Sequence, residues 1–256
     1  RHSRRRPNRA KRPKSREMVE IRPCANKTNR PGTTPVYNDE FTPTGFVFPL
    51  TPARRFMISS VLPRRTGLLV SGGLDSGILL GHLLDQGRCV QPFYVRSGLF
   101  WEADEQRALQ RLLARMACER LQPLLTFDLP LADVYRNHWS VTGTAVPEAA
   151  TPDEAVYLPG RNALLVIKPA VWCRLNDVDE LALAPLGSNP FADAGSEFFD
   201  GFQAALNLAV SGRLTILRPF AQLDKRDVMQ LGRRYPLELT FSCIAPERGL
   251  HCGRCN

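Results

Sequence analysis

The sequence predicts a doubly wound α/β domain, a parallel sheet covered by helices on both faces and followed by a short cysteine-bearing tail. Three observations carry this prediction. From Gly67 onward, short apolar runs alternate with longer segments of helical periodicity, the pattern of strands joined by crossover helices. The first apolar run, Leu68-Leu69-Val70, ends in Ser71-Gly72-Gly73-Leu74-Asp75-Ser76 and feeds the helical run Ile78 to Leu84. Cys243, Cys252 and Cys255 crowd into the last fourteen residues.

The elements follow in order. Leu68 to Val70 is the first strand, and the helix after it closes at Gly87, a residue suited to ending a helix. Val90 to Val95, with Phe93 and Tyr94, is the second strand. Glu102 to about Arg120 places Leu109, Leu112, Leu113 and Met116 at helical spacing, an ordinary core stripe. Leu124 to Leu129 makes a third strand. Pro130 to Pro159 is too long for a plain connection and reads as a functional lid or loop with some local structure. Asn162 to Leu175 is a helix in which Pro169 should cause a kink or break. Leu181 to Ala184 is a strand leading into Pro185-Leu186-Gly187-Ser188-Asn189. Phe198 to Val210 is a helix, Leu214 to Leu217 a strand, and Lys225 to Arg234 the last helix, with Asp224 as its N-cap. In such a sheet ligands gather at the carboxyl ends of the strands, near the switch in strand order.

At 256 residues the chain can bury a substantial core without disulfides. Its net charge of +9 is unevenly spread: residues 1–65 carry +12 and the rest −3. The high isoelectric point therefore belongs to an arm, and nucleic acid is not expected as a partner of the fold. That arm, with Arg4-Arg5-Arg6 and Lys11-Arg12, many prolines and little apolar periodicity, reads as disordered. It is either a solvated extension or sequence upstream of a true start, since Met57 stands just ahead of the first strand. Three parts are expected: the arm 1–65, the α/β domain 66–240 and the cysteine tail 241–256. No stretch has the length of a membrane span or the form of a signal-peptide h-region, so a cytoplasmic protein is expected. Seven cysteines, four of them scattered singly among apolar neighbours, argue against a disulfide framework.

The bend after the first strand has the composition of an anion cradle. Amides of the turn and of the helix start converge on one spot, and glycine lets the main chain come close to a phosphate. It lacks the Lys-Ser/Thr of the P-loop and the three spaced glycines of the dinucleotide fingerprint. The plain alternative is a glycine turn between strand and helix. At the other end, Cys243, Cys252 and Cys255 are spaced Cys-x8-Cys-x2-Cys, which suits a tetrahedral thiolate zinc site. His251 is badly placed to share a metal with its neighbour Cys252, and the fourth ligand is expected at the next x2 spacing, beyond Asn256.

The hexapeptide Ser71 to Ser76 resembles the PP-loop, Ser-Gly-Gly-x-Asp-Ser, of the ATP pyrophosphatases, the group with the fold of adenine nucleotide alpha hydrolases. Together with the cysteine tail led by Phe241-Ser242, the chain from Gly67 to Cys255 resembles the 7-cyano-7-deazaguanine synthase family. Tyr157-Leu158-Pro159-Gly160-Arg161-Asn162 is similar to the family's Val-Pro-x-Arg-Asn segment, and Leu186-Gly187-Ser188-Asn189 with Asp193, Pro219-Phe220 and Lys225 fit as well. Two runs depart. Phe93 to Gly98 replaces the Asp-Tyr-Gly-Gln-Arg-His run, and Ala194 to Phe199 replaces Tyr-Pro-Asp-Cys-Arg. Both runs lie near nucleotide and deazapurine in the family, so they bear on the acceptor more than on the ATP chemistry.

The resemblance implies an ATP-dependent ligase of the queuosine precursor pathway. It adenylates 7-carboxy-7-deazaguanine and, with ammonia, forms the nitrile, with AMP and pyrophosphate favoured over ADP and phosphate as products. Ser71, Gly72, Gly73, Leu74, Asp75 and Ser76 would bind ATP. Asp75 falls close to phosphates that repel a bare carboxylate, so it is expected to hold Mg²⁺ or, more simply, to cap the helix turn. Arg161 and Lys225 would steady phosphate charge, while Gly187, Asn189 and Asp193 would read the guanine-like edge. Zinc on Cys243, Cys252 and Cys255 would fold the tail over the site without entering the chemistry. A homodimer is compatible with this reading. The alternatives are another PP-loop adenylating enzyme, such as a tRNA thiolating enzyme, and a non-catalytic nucleotide-binding module.

Overall fold

The structure, a computed structural model, describes residues 64–255, so the basic arm lies outside the described residues except for Arg64 and Arg65. Five parallel strands, β1 (Arg65–Leu69), β2 (Cys89–Arg96), β3 (Leu125–Asp128), β4 (Glu180–Ala182) and β5 (Thr215–Leu217), form one sheet in the order β3-β2-β1-β4-β5. Leu68 pairs with Pro92 on one side and Ala182 on the other. The chain builds outward from β1 to β3, then crosses back to lay β4 on the free side of β1. The switch in strand order therefore lies between β1 and β4, and the crevice belongs at their carboxyl ends.

Alternating side chains sort onto two faces, as the pleat requires. Leu68, Val70 and Tyr94 join a core with Ile78, Leu79 and Leu83 of α1 (Leu74–Asp85), Leu109 of α2 (Glu102–Arg115) and Val228 of α7 (Lys225–Gly232). Phe93 and Leu181 join the opposite core with Val166, Ala170 and Cys173 of α5 (Arg161–Leu175) and Phe199 of α6 (Ser196–Val210). Because both faces are covered, β2 is buried along nearly its whole length, as parallel strands generally are. Two short helices, α3 (Ala132–Tyr135) and α4 (Trp139–Thr142), give the long 130–159 segment the local structure expected of it.

Two elements differ from the sequence reading. α2 ends at Arg115 rather than near Arg120. The chain there must run beside β2, where Val90 donates to the Arg120 carbonyl and accepts from Gln122. α5 runs through Pro169 as one helix, so of the kink or break expected there the break does not occur. Proline removes one helical hydrogen bond and crowds the preceding turn, but Pro169 is buried and its neighbours Val166, Ala170 and Cys173 pack on the sheet on both sides of the missing bond. Among the cysteines outside the tail, Cys173 is buried and free, whereas Cys118 is exposed.

The N-cap of α7 is the one predicted. Asp224 accepts from the Asp227 amide at 2.9 Å, and Asp227 accepts from the Asp224 amide in return, completing a capping box. Asp224→Ala should lower stability by about 1 kcal/mol, read as a shift of the urea midpoint at constant slope. An unmoved midpoint would mean that the cap is not holding α7.

Candidate active site

A cleft of about 360 Å³ opens at the carboxyl ends of β1, β2 and β4, lined by Ser71, Gly73, Asp75 and Ser76 on one side and by Tyr94, Glu105, Arg161, Asn162 and Asn189 around it. The bend folds because its own side chains close it. Ser76 Oγ accepts from the Ser71 amide at 3.2 Å and donates to the Gly73 carbonyl at 3.1 Å, while Ser71 Oγ accepts from the Gly73 amide at 3.1 Å. Gly72 takes φ +81°, and a Cβ there would lie 2.9 Å from the Glu105 carbonyl oxygen and 3.1 Å from the Leu109 amide nitrogen. Glycine at this position thus serves close packing on α2 as well as the turn. Gly73 caps α1 without a side-chain bond, and the first amide of α1 to bond back within this turn is that of Gly77. The start of α1 is an anion-binding end.

Asp75 and Lys225 come together across 150 residues of sequence: Lys225 Nζ donates to Asp75 Oδ1 at 2.7 Å. Asp75 and Asn189 also line a second recess, with Lys225, Ser188 and Phe191, that continues from the first. The site is therefore one trough with the bend at its centre. Arg161, the first residue of α5, faces the cleft, and its Nε is buried without a hydrogen-bond partner among the described residues.

The other three predicted residues divide. Asn189 lines the trough, with Oδ1 accepting from the Phe191 amide at 3.0 Å. Asp193 is only 6% exposed and turns inward: Oδ2 accepts from the Asn162 amide at 3.0 Å, and its carbonyl accepts from Asn162 Nδ2 at 2.9 Å. It holds the start of α5, and with it Arg161. Gly187 donates its amide to the carbonyls of Phe220 and Leu223, and a Cβ there would meet the Ala221 carbonyl at 2.8 Å. Its packing is against the turn before α7.

Glu105 and Tyr94 were missed by the motif reading. Tyr94 donates to Glu105 Oε2 at 2.6 Å on the cleft wall. Burial pushes the Glu105 carboxyl up to about 7, against the opposing pull of the Tyr94 hydrogen bond and the Arg161 charge. Burial and the neighbouring Glu105 also raise the Tyr94 phenol. A signal existed in the sequence: Glu105 shares the buried face of α2 with Trp101, Ala108, Leu109 and Leu112, and a carboxylate on an apolar stripe needs a reason to be there.

The cysteine tail is tied to the bend. Phe241 donates its amide to the Gly72 carbonyl at 2.8 Å, Ser242 Oγ accepts from the Leu74 amide at 3.4 Å, and Ile244 packs with the cluster of Leu99, Trp101 and Leu158. Cys243 Sγ lies 3.5 Å from Cys252 Sγ and 3.7 Å from Cys255 Sγ. A tetrahedron with Zn–S bonds of about 2.3 Å has an edge of about 3.8 Å, so the three thiols fit one metal. The Cys252 amide points at Cys243 Sγ and the Arg254 amide at Cys252 Sγ, which favours thiolate. The Arg254 amide leads the causes that lower Cys252 to about 7, whereas burial raises Cys243 to about 11. His251 is turned away, accepting from the Ser242 amide through Nε2 and lying against Phe241. The tail also pairs with the 130–159 segment, through a bridge between Glu148 and Cys255.

The family model of the queuosine biosynthesis protein QueC matches residues 66–256. A 7-cyano-7-deazaguanine synthase of Desulfotalea psychrophila is 26% identical over 195 residues, which cover 73% of this chain and 87% of that protein. The synthase of Methanoculleus marisnigri is 28% identical over 200 residues, 73% of this chain and 87% of that protein. That of Leptospira interrogans is 24% identical over 204 residues, 74% of this chain and 81% of the relative.

Proposed function

Because this chain belongs to the QueC family of queuosine biosynthesis proteins, a family of ATP-dependent ligase-type enzymes, we propose that it converts 7-carboxy-7-deazaguanine and ammonia to 7-cyano-7-deazaguanine. The carboxylate is first adenylated, releasing pyrophosphate. Ammonia then displaces AMP to give the amide, which is activated again and loses oxygen to become the nitrile. The observation that carries this reading is the self-braced bend Ser71 to Ser76 at the switch between β1 and β4, facing Arg161 across the cleft.

A carboxylate is a poor electrophile because its leaving group would be oxide; joined to AMP, it leaves phosphate instead. The protein's task is to hold carboxylate and α-phosphate in line and to offset charge on the departing pyrophosphate. The amides at the start of α1 take the pyrophosphate, and the hydroxyls of Ser71 and Ser76 hold the bend in the shape that presents them. Arg161 carries a buried donor without a partner among the described residues and takes anionic oxygen of nucleotide or substrate. Asp75 and Lys225 flank the phosphates. Mg²⁺, bound through Asp75, would neutralise phosphate charge there. Asn189 reads the edge of the base. Asp193 works through Asn162 by fixing the start of α5, a positioning task rather than direct contact with substrate.

Zinc on Cys243, Cys252 and Cys255 would clamp the tail that braces the bend. Stripping it with a chelator, with metal content measured, should lower Tm by roughly 5–10 °C, the shift that about 2–3 kcal/mol gives a chain of this size. Amide exchange should quicken at both 241–244 and 71–76. An unchanged Tm after metal loss would remove the clamp.

The reaction is tested by pyrophosphate release from ATP. Release that requires both 7-carboxy-7-deazaguanine and ammonium, with the nitrile identified by mass, is the expected result. Release that requires tRNA instead would make this a thiolating enzyme, and ATP binding without turnover would make it a binding module.

A further inference from the structure

The proposed reaction needs a group to take a proton from nitrogen, and none of the residues given a role in it above can do so. Ammonia that attacks an acyl carbon becomes a positively charged amine, which expels itself again unless it loses a proton. The guanidinium of Arg161 offers donors and no acceptor. Among the described residues no histidine lines the cleft, its carboxylates are those of Asp75 and Glu105, and Asp153 lines only the adjoining recess. Asp75 is engaged by Lys225 at 2.7 Å.

Glu105 is placed differently. Tyr94 donates to Oε2 at 2.6 Å and fixes the carboxylate plane, while Oε1 accepts no hydrogen bond among the described residues. The carboxylate lies on the wall that also carries Tyr94 and Trp101, and Arg161 and the bend line the same cleft. α2 itself is set against the bend without room for a Cβ at Gly72, where the nearest atom would be the carbonyl oxygen of Glu105 itself. The distance between base and phosphate cradle is thus fixed by main-chain packing.

Resting on the synthase reading above, we propose that Glu105 is the catalytic base of amide formation, and that Tyr94 positions it. The nitrogen lone pair of ammonia forms the C–N bond, and the C–O bond to phosphate breaks with its electron pair leaving on AMP. One N–H proton passes to Glu105, which then releases it to water. Nothing is oxidised or reduced. The groups facing Glu105 are Tyr94 from β2, Arg161 from α5 and Glu102 from its own helix, and its carboxyl, raised by burial to about 7, is suited to exchange protons near neutrality.

Two measurements on the full chain test this. The first is 7-carboxy-7-deazaguanine-dependent exchange of labelled pyrophosphate into ATP, which needs adenylation only. The second is amide formation as a function of pH, plotted against free ammonia so that the ionisation of ammonium is divided out. In the parent enzyme amide formation should rise through about pH 7 as Glu105 loses its proton. Glu105→Gln should lose about 100-fold of it at pH 8 and lose that rise, with exchange kept within about threefold; retained exchange also certifies the fold. Tyr94→Phe removes a hydrogen bond to the carboxylate form, so the rise should move to higher pH. Amide formation retained in Glu105→Gln, exchange lost together with it, or an unmoved profile in Tyr94→Phe each overturns the assignment. Absence of exchange in the parent enzyme would instead remove the synthase reading, and this inference with it.

Discussion

Asp75→Ala is expected to reduce pyrophosphate release by about 10²–10³-fold or more, the loss typical of removing one group that answers charge at the reacting phosphates, while the folded state remains. The two halves of that expectation have separate physical grounds. Asp75 sits in the first turn of α1, and its partner Lys225 is 55% exposed. A solvated pair of this kind contributes about 0–1 kcal/mol, and an acidic residue in the first turn adds about 0.3–1 kcal/mol through the helix dipole. The domain should therefore lose little stability. Activity is another matter, because the carboxylate lines both recesses of the trough and, among the described residues, no other acidic side chain lines both. Asp75→Asn keeps the shape and removes the charge; it should fall nearly as far. Pyrophosphate release within tenfold of the parent in both variants would show that Asp75 merely starts the helix.

The contrast between Asp75 and Glu105 shows what could be read from residues alone. Asp75 belongs to a short contiguous pattern whose chemistry is local, since a strand, a bend and a helix start are enough to build a cradle. The strands and helices were legible for the same reason: periodicity is local, and both faces of the sheet are apolar. Glu105 looks like any charge on an amphipathic helix until Tyr94 of β2 and Arg161 of α5 are seen around it, contacts that span 11 and 56 positions. Asp193 misled in the opposite sense. Its place after a strand suggested ligand reading, yet its carboxylate is occupied by the Asn162 amide. Pro169 shows packing outweighing a local preference, because a buried helix can hold through one missing bond. The tie from Phe241 to Gly72 joins two motifs that the sequence presents as opposite ends of the domain.

Gly72→Ala tests that joint most severely. The backbone there has φ +81°, a region that costs an L-residue roughly 1–2 kcal/mol. The added Cβ would also lie 2.9 Å from the Glu105 carbonyl, 3.0 Å from Leu109 Cβ and 3.1 Å from the Leu109 amide nitrogen. Two of those three atoms are main chain inside α2 and cannot turn aside as a side chain would, so overpacking adds about 1–3 kcal/mol. The expected loss of stability is about 2–5 kcal/mol, with ATP affinity down at least about tenfold because the bend must shift by the amount that relieves the contact. Gly87→Ala separates the two causes. Gly87 has φ +75° with nothing within 4 Å of a built Cβ, and it follows the far end of α1. That variant should show the backbone strain alone, about 1–2 kcal/mol, with unchanged ATP binding. If the two alanine variants are equally stable and bind ATP alike, the close seat of the bend on α2 is not what shapes the cradle.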